Sequence, residues 1–315
     1  MRHNINLIGG DTFNHCASIT IINNTPIIVG YCGQECTDKQ RVFIYHNNEY
    51  IYLENKTGNP IIWNYEDKLN IIYSKFEDKD KNGNYPLYPV ERWKYCSNHH
   101  IQLSLDNIKL KEIPKSKEIP EMFGLLARCQ PIMFNNECLI PMYREKNPRC
   151  EIWSFDGNEF TNKSIFGETD HISNLGRGCA IQPTLMIENN ELIALCRNVA
   201  QPPFNKAWFS KSPDGVIWSE LEESNIPNMN NSLVCIGYNN TNYAVYNQDR
   251  SRSEIILRDL HKATSTQLGI GRANNLLSYS YPNYALDGEN LHIVHSNSKM
   301  IAHHIFDKEF LDWVL

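Results

Sequence analysis

The sequence predicts an all-β protein in which residues 1–315 form a single β-propeller. Three observations lead to this prediction: a hairpin pattern recurs six times, the segments between the hairpins are also strand-like, and helical periodicity is hard to find. Six blades is the simplest count, and a five-bladed ring with extra strands is the alternative. The regular spacing favours a propeller over a β-sandwich or a β-solenoid.

Each hairpin joins two apolar runs through a turn that contains Asn, Asp or Gly, which tolerate the positive φ of tight turns. The copies begin at Cys16, Asn59, Gln130, Gln182, Ser232 and Tyr281. The intervals between them are 43, 71, 52, 50 and 49 residues. Apart from the second interval, they match the roughly 40–50 residues of a propeller blade.

The segments between the hairpins complete the predicted blades. Those at 41–54, 150–160 and 206–220 have strand-like sequences. A hairpin with one such segment supplies about four strands, which is the content of one blade.

Four hairpins open on a polar or aromatic residue followed by proline. These pairs are Asn59-Pro60, Gln130-Pro131, Gln182-Pro183 and Tyr281-Pro282. Because proline has no N–H to donate, we expect each proline to be the first residue of an inner strand. The residue before it would then face one mouth of the central channel.

Composition excludes several classes of function. The net charge of −6, without a Lys/Arg cluster, gives no electrostatic footprint for nucleic acid as a partner. No apolar run is long enough for a membrane span, and the N-terminus lacks the apolar stretch of a signal peptide. The ten cysteines form no CxxC pair, so we expect free thiols in a reducing compartment and a cytoplasmic location.

We expect no metal and no cofactor. The adjacent pairs His99-His100 and His303-His304 lie on predicted strands, where neighbouring side chains point to opposite faces. Neither pair can therefore bind one metal ion together.

Two segments between hairpins share a second signature, S-x-D-G-x-x-aromatic. They are Ser212–Trp218 and Ser154–Phe160. Each resembles the Asp-box of sialidases and related BNR-repeat propellers, whose usual form, S-x-D-x-G-x-T-W, is one residue longer. The resemblance implies a structural turn at the blade periphery, in which the Asp bonds turn amides and the aromatic ring packs beneath.

The order of five further phrases resembles the sialidase-like BNR-repeat family over residues 10–308. The phrases are NHCASI, GNPIIW, IQPTLMIENNELIALCRN, VYNQ and YSYPNYALDGENLHIVHS. The resemblance implies a propeller that hydrolyses a terminal, acidic sugar from a glycan. Two alternatives stay open: a propeller that binds glycan or protein without turnover, and a polysaccharide lyase on the same fold.

The predicted inner strands begin with polar or aromatic residues that converge on the channel mouth. This set comprises His15, Asn59, Gln130, Gln182, Asn230 or Asn231, and Tyr281. Such a ring of donors and acceptors suits the hydroxyl and carboxylate groups of a sugar. The second strands end in further polar residues, namely Arg144-Glu145, Arg197-Asn198 and Asn247-Gln248.

Arginine suits a carboxylate because its planar fork donates two parallel hydrogen bonds. Sialidases hold the sugar carboxylate with three arginines, and Arg197 occupies the position that the resemblance gives to one of them. Arg128 and Arg144 are its expected companions, and Arg250 and Arg252 are weaker choices.

The resemblance also implies a tyrosine nucleophile activated by a carboxylate, with a carboxylic acid near the leaving oxygen. Tyr281 is the expected nucleophile, with Tyr279 as second choice. The expected carboxylates are Asp11, Glu35, Glu145 and Asp249. His15 stands where the family has its first arginine, and a histidine can carry protons near neutral pH but cannot clamp a carboxylate. A different acidic or deoxy sugar is therefore an alternative substrate.

Overall fold

The computed structural model describes residues 3–9, 13–77, 89–104, 113–167, 180–199, 204–268 and 279–315. Its strands form six antiparallel sheets arranged as the blades of a β-propeller, which confirms the predicted fold and the count of six. In blades 1 to 5, strands that follow one another in the chain are mostly neighbours in the sheet. No helix among these residues is both long and apolar enough to cross a membrane.

The strands are numbered in chain order, and β1 is His3–Ile8. Blade 1 contains β2 (Asn14–Ile22), β3 (Thr25–Cys32), β4 (Arg41–His46) and β5 (Glu49–Asn55). Blade 2 contains β6 (Thr57–Tyr65), β7 (Lys68–Phe76), β8 (Cys96–Ser104) and β9 (Lys117–Glu118). Blade 3 contains β10 (Leu126–Ala127), β11 (Ile132–Phe134), β12 (Glu137–Arg144), β13 (Arg149–Phe155) and β14 (Phe160–Phe166).

Blade 4 contains β15 (Ala180–Glu188), β16 (Glu191–Asn198), β17 (Lys206–Ser212) and β18 (Glu222–Pro227). Blade 5 contains β19 (Val234–Tyr238), β20 (Thr241–Tyr246), β21 (Ile256–Asp259) and β22 (Ser265–Gln267). The last strands are β23 (Tyr279–Leu286), β24 (Asn290–Asn297) and β25 (Met300–Asp307). The described helices are two 3-10 segments, Pro89–Tyr95 and Pro120–Met122, and α1 (Lys308–Val314).

Blade 6 joins the two ends of the chain. Its strand order is β1-β25-β24-β23, so the N-terminal strand is the outer strand of the C-terminal blade. β1 pairs with β25 over its whole length, from His3 opposite Phe306 to Ile8 opposite Ile301. This pairing closes the ring, because it ties blade 1 to blade 6 through the backbone.

The hairpin turns form as the sequence predicts. Five tips are Asn-Asn pairs in which both residues have positive φ: Asn23-Asn24, Asn47-Asn48, Asn135-Asn136, Asn189-Asn190 and Asn239-Asn240. Positive φ at both central residues defines the type I′ turn, whose twist matches that of the paired strands.

Three of the four proline pairs lie inside the inner strands and not at their starts. Pro60, Pro183 and Pro282 are the fourth residues of β6, β15 and β23. The ladder register shifts at each of them, as in a β-bulge. Because a bulged residue leaves the ladder, the missing N–H of proline costs no hydrogen bond there. The prediction that these prolines begin the strands is therefore wrong.

The residue before each of these prolines has a left-handed backbone. The φ angle is 45° at Asn59, 50° at Gln182 and 55° at Tyr281, and Cys16 in β2 repeats the bulge at 52° without a proline. In blade 3, Gln130-Pro131 lies between β10 and β11, which both pair with β12. Bulges kink a strand and re-aim a side chain, and they are common beside active sites. Five inner strands are thus interrupted at the same level.

The hydrophobic core lies between neighbouring blades. Ile27 and Val29 of blade 1 are fully buried in one cluster with Ile71 of blade 2. Similar clusters join every other pair of neighbours, including blades 6 and 1. Burial of one such side chain contributes roughly 1.5–3 kcal/mol, so the six interfaces together hold the ring.

The two Asp-box segments are structural turns. Asp214 Oδ1 accepts hydrogen bonds from the backbone N–H groups of Val216 (2.8 Å) and Ile217 (2.9 Å). Trp218 stacks on Phe166 of blade 3 with ring centroids 4.4 Å apart. The box in blade 4 therefore also ties that blade to its neighbour.

Candidate functional site

Tyr281 lies at the bulge of β23, where three other blades approach it. Its ring meets the edge of His15 from blade 1, with centroids 4.6 Å apart. The guanidinium carbons of Arg128 and Arg252 lie 5.2 Å and 5.6 Å from the centre of the same ring. Burial raises the pKa of Tyr281, while the charges of Arg197 and Arg252 act in the opposite direction.

Arg197 and Arg252 converge on one turn. Arg197, near the end of β16, donates from Nε to Asn230 Oδ1 at 2.8 Å. Arg252, in the connection between β20 and β21, donates from Nε to Asn231 Oδ1 at 2.9 Å and from Nη2 to the Asn230 carbonyl at 3.3 Å. Neither forms an ion pair with a carboxylate of the described residues. Two cations from different blades therefore share one turn without forming an ion pair among the described residues, and Arg252 also lies beside the Tyr281 ring.

The turn that receives these arginines is itself held by asparagines. Asn228 is fully buried and donates from Nδ2 to the Asn231 carbonyl at 2.8 Å. Its Oδ1 accepts from the backbone N–H of Asn198, the residue after Arg197, at 3.0 Å. Asn231 donates from Nδ2 to the Asp249 carbonyl at 2.6 Å. The turn thus connects the end of β16 to the loop that carries Arg252.

Asp249 belongs to that loop. Its two carboxylate oxygens accept hydrogen bonds at 2.8 Å from the hydroxyls of Ser251 and Ser253. Burial acts to raise the pKa of Asp249, but these hydrogen bonds outweigh it and hold the pKa below its usual value. The Asp249 carboxylate therefore stabilises the loop that carries Arg252.

Arg128 and Gln130 reach across the channel to backbone carbonyls. Arg128 is 1% exposed and donates to the carbonyls of Ala17 (3.2 Å), Tyr281 (2.5 Å) and Pro282 (3.5 Å). Gln130 donates from Nε2 to the Ile19 carbonyl at 2.5 Å. These contacts tie blade 3 to blades 1 and 6, and they support the backbone at the bulge of Tyr281.

Two other predicted ligand residues, Arg144 and Asn247, are engaged by protein groups, and a third, Asn59, is buried. Arg144 pairs with Glu151, a carboxylate whose side chain is 2% exposed, at 2.7 Å. Asn247 is fully buried and donates to the carbonyls of Glu254 and Tyr279 at 2.6 Å and 2.9 Å. Asn59 lies in its bulge at 7% exposure. Arg144 and Asn247 therefore make structural contacts around the site.

Gln182 and two glutamates complete the site. Gln182 donates from Nε2 to the Tyr143 hydroxyl at 3.1 Å. Glu35 accepts from the indole N–H of Trp93 at 3.1 Å. Burial raises the pKa of Glu145, Arg197 acts to lower it, and Glu35 acts to raise it further. Glu145 is therefore a carboxyl group that keeps its proton to higher pH than usual.

His15 is held neutral. It is 6% exposed, and burial, with the charges of Arg128 and Arg252, lowers its pKa to about 3. Its Nδ1 has no hydrogen-bond partner among the described residues. At neutral pH it therefore has no second ring proton to donate. Asp11, the remaining predicted acid, lies outside the described residues.

Contacts of the asparagine turn with Arg197 and Arg252 were not predicted from the sequence, and Arg252 ranked there among the weaker candidates. The signal available was the run Asn228-Met229-Asn230-Asn231 directly before β19, since asparagine favours turns and positive φ. The contacts of this turn with the two arginines join residues 21 to 33 positions apart in the chain, so no local sequence pattern predicts them. Within the described ranges, no group of three His, Cys, Asp or Glu side chains is arranged to hold a metal ion.

Comparison with solved structures shows the same fold in sialidases. Trypanosoma rangeli sialidase superposes with a TM-score of 0.66 at 10% identity, covering 96% of this chain and 56% of that one. This chain thus spans little more than half the length of that sialidase. A complex of the same sialidase with sialic acid gives a TM-score of 0.63 at 12% identity, covering 96% and 55%.

A neuraminidase-like protein from A/bat/Guatemala/164/2009 is also similar. Its TM-score is 0.56 at 6% identity, and the match covers 95% of this chain and 90% of that one. Identities this low show the fold alone.

A search of curated proteins finds no significant match. A family profile described as a BNR repeat-like domain, in contrast, matches residues 40–293. This match runs from blade 1 to blade 6 and covers most of the chain. The chain therefore belongs to the BNR repeat-like domain family.

Proposed function

We propose that the protein binds the acidic group of a terminal sugar between Arg197 and Arg252 and cleaves that sugar from a glycan. One observation carries the proposal: two guanidinium groups from blades 4 and 5 meet at one asparagine turn, one of them beside the Tyr281 ring, and neither forms an ion pair with a carboxylate of the described residues. Arginine binds carboxylate and similar anions through paired, charge-assisted hydrogen bonds. An anionic ligand would complete this arrangement.

Tyr281 is the proposed nucleophile. Its hydroxyl oxygen attacks the anomeric carbon while its proton passes, by way of water, to the carboxylate of Glu35, whose charge acts on Tyr281. The glycosidic bond breaks, and Glu145 gives its proton to the leaving oxygen. A water molecule then gives one proton to Glu145 and its oxygen to the anomeric carbon, and the tyrosine oxygen leaves and takes its proton back from Glu35. Burial, which raises the pKa of Glu145, suits it to this task because a general acid must hold its proton at the working pH. His15 packs against the Tyr281 ring. Because its pKa is lowered to about 3, it is given no role in proton transfer in this scheme.

The structural comparisons support the choice of ligand class. A complex of the sialidase with sialic acid is among the similar structures, and sialic acid is an acidic sugar. The superposition covers 96% of the chain, which leaves out less than one blade.

A second candidate is binding without turnover. The observation that favours it is that no carboxylate of the described residues forms a hydrogen bond with the Tyr281 hydroxyl. Gln182, at the equivalent bulge of blade 4, presents a neutral amide. Without a base, a phenol whose pKa is raised is a poor nucleophile.

The test combines binding and release. The protein is incubated with fluorescently labelled glycans that end in N-acetylneuraminic acid, glucuronic acid or a sulfated sugar, and released sugar is followed by chromatography. We expect release from at least one glycan, loss of release but not of binding in Tyr281→Phe, and loss of binding in Arg197→Ala. Arg258→Ala is the matched control, because Arg258 lies on β21 and donates to the Asn225 carbonyl at 3.4 Å.

The other outcomes separate the alternatives. Saturable binding without release identifies a binding propeller, and a product absorbing in the ultraviolet identifies a lyase. Absence of both binding and release, or full activity in Arg197→Ala, contradicts the proposed site.

A further inference from the structure

The two site arginines are oriented by amide groups, whereas a structural arginine pair in the same molecule is oriented by a carboxylate. Arg144 and Arg149 both contact Glu151 of blade 3, at 2.7 Å and 3.0 Å. Arg197 and Arg252 instead donate to the side-chain oxygens of Asn230 and Asn231. A carboxylate neutralises a guanidinium at hydrogen-bond distance, and an amide oxygen accepts the same hydrogen bond without doing so.

We propose that Asn230 and Asn231 are positioning residues whose neutral side chains fix the two arginines while leaving their positive charge available to the ligand. The proposal rests on the anion site described above. It makes the amide identity of these two residues a determinant of selectivity for acidic over neutral sugars.

The directions of the hydrogen bonds support this assignment. Each asparagine oxygen receives the Nε–H of its arginine. On Arg197, both terminal Nη groups remain without a partner among the described residues. On Arg252, Nη2 contacts the Asn230 carbonyl at 3.3 Å. The amides therefore occupy the inner edges of the guanidinium groups and leave terminal N–H groups for an anion.

The backbone shows that this placement is constrained. The φ angle is 65° at Asn230 and 57° at Arg252, in the left-handed region. Asparagine adopts that region several times more often than most residues, but a long side chain such as arginine adopts it uncommonly. Such conformations persist where the surroundings enforce them, and they cluster at binding sites. Here the enforcing contacts are those of Asn228, Asn231 and Asp249.

The test separates the position of the arginine from its charge. Asn230→Gly removes the amide and tolerates the positive φ, so it releases Arg197 without straining the turn. Asn230→Asp keeps an oxygen for Arg197 Nε and adds a negative charge. Asn225→Asp is the matched control, since Asn225 is an exposed residue of β18 whose carbonyl accepts from Arg258. The probes are N-acetylneuraminic acid, glucuronic acid and glucose 6-sulfate, each titrated by calorimetry at two salt concentrations.

For the probe that binds best, we expect Asn230→Gly to weaken affinity roughly three- to tenfold, because one charge-assisted hydrogen bond to Arg197 is lost. We expect Asn230→Asp to weaken it at least about tenfold and to flatten its salt dependence, because the added charge cancels one cation. Asn225→Asp should bind as the wild type does, and all variants should melt within a few degrees of it.

Two results overturn the inference in distinguishable ways. If the wild type binds a probe and Asn230→Asp binds it equally well, the neutral amide is not a determinant, while the anion site stands. If the wild type binds none of the three probes, the anion site and this inference fail together.

Discussion

Four arginines near the channel differ in what their guanidinium groups contact. Arg128 donates to main-chain carbonyls, Arg144 is paired with Glu151, and Arg197 and Arg252 are held by asparagines. A guanidinium that is paired with a buried carboxylate has its charge compensated, and Arg128 uses both of its terminal nitrogens on main-chain carbonyls. The anion-binding role proposed above is therefore assigned to Arg197 and Arg252.

Replacement of Arg128 by methionine should reduce the free energy of unfolding by at least about 3 kcal/mol. Each hydrogen bond to a charged group contributes roughly 1.5–3 kcal/mol, and three carbonyls near the channel axis would lose their donor. Urea denaturation followed by tryptophan fluorescence measures the change. Arg258→Met, at a half-buried position whose side chain donates one long hydrogen bond of 3.4 Å, should cost no more than about 1 kcal/mol. A loss of similar size in both variants would contradict the structural role of Arg128.

A residue of the candidate site can be predicted from the sequence when it belongs to a local motif, and not when its partners lie far away in the chain. Arg197 and Tyr281 could be proposed from the sequence because they stand at fixed places in local phrases that resemble a known family. The partners of Arg128 lie 111, 153 and 154 positions away in the chain. No local pattern distinguishes an arginine that contacts carbonyls from one that contacts a ligand. The internal contacts of Arg128 and Arg144 could therefore be seen only in the tertiary structure.

At the scale of elements, blade 6 contains two directly bonded histidine pairs. His292 Nδ1 lies 3.0 Å from His303 Nε2, and His295 Nε2 lies 2.9 Å from His304 Nε2, all between β24 and β25. His295 Nδ1 lies 3.1 Å from the Ser296 carbonyl and must donate to it, so its Nε2 accepts from His304. Protonation of His295 at Nε2 would replace this acceptor by an N–H that faces the N–H of His304.

The histidine pairs predict a loss of stability in acid. Burial lowers the pKa of His295 and of His303 from 6.5 to about 4. The unfolded chain therefore binds protons first, and stability is lost as pH falls from 6.5 towards 4. Each group adds a slope of about 1.4 kcal/mol per pH unit within that window.

The test is chemical denaturation at several pH values between 4 and 7. His295→Gln keeps an acceptor for His304 but does not titrate, so it should lower the slope by about 1.4 kcal/mol per pH unit. His261→Gln is the control because that side chain is 53% exposed. An unchanged slope in His295→Gln would show that the buried pair does not control acid stability.

The inner strands show how far the sequence predicts an element. Hairpin positions and type I′ turns follow from alternating apolar runs and Asn-Asn tips, which are local features. The prolines mark the point at which the inner strands are interrupted, but that point is a bulge and not a strand start, since Pro183 follows three strand residues in β15. Proline excludes a ladder hydrogen bond, and both a strand start and a bulge satisfy that condition.

At the scale of the whole molecule, six hairpin repeats were enough to predict six blades. The spacing of the repeats is set by the chain length that one blade needs, so it is visible in the sequence. The closure of the ring by β1 on β25 was not predicted, because that pairing joins strands about 300 residues apart and β1 carries no repeat of its own. Nor does spacing explain the inner strand of blade 3, which is divided into β10 and β11.

The ring also explains why the site is composite. Tyr281 comes from blade 6, His15 from blade 1, Arg197 from blade 4 and Arg252 from blade 5. Blades 1 and 4 are not neighbours in the ring, so these four residues come together only in the closed propeller. Mutations that open the ring should therefore abolish ligand binding as well as stability.

The most direct test of the account is calorimetric titration of the wild type with an acidic sugar and with its methyl ester. N-acetylneuraminic acid and glucuronic acid are suitable, because their esters keep the shape of the sugar and remove its charge. If Arg197 and Arg252 bind the acidic group, the ester of the preferred sugar should bind at least about tenfold more weakly. In Arg197→Ala, the affinity for the acid should fall towards that for the ester or below detection. Equal affinity of the wild type for acid and ester would contradict the claim that the channel mouth is an anion site.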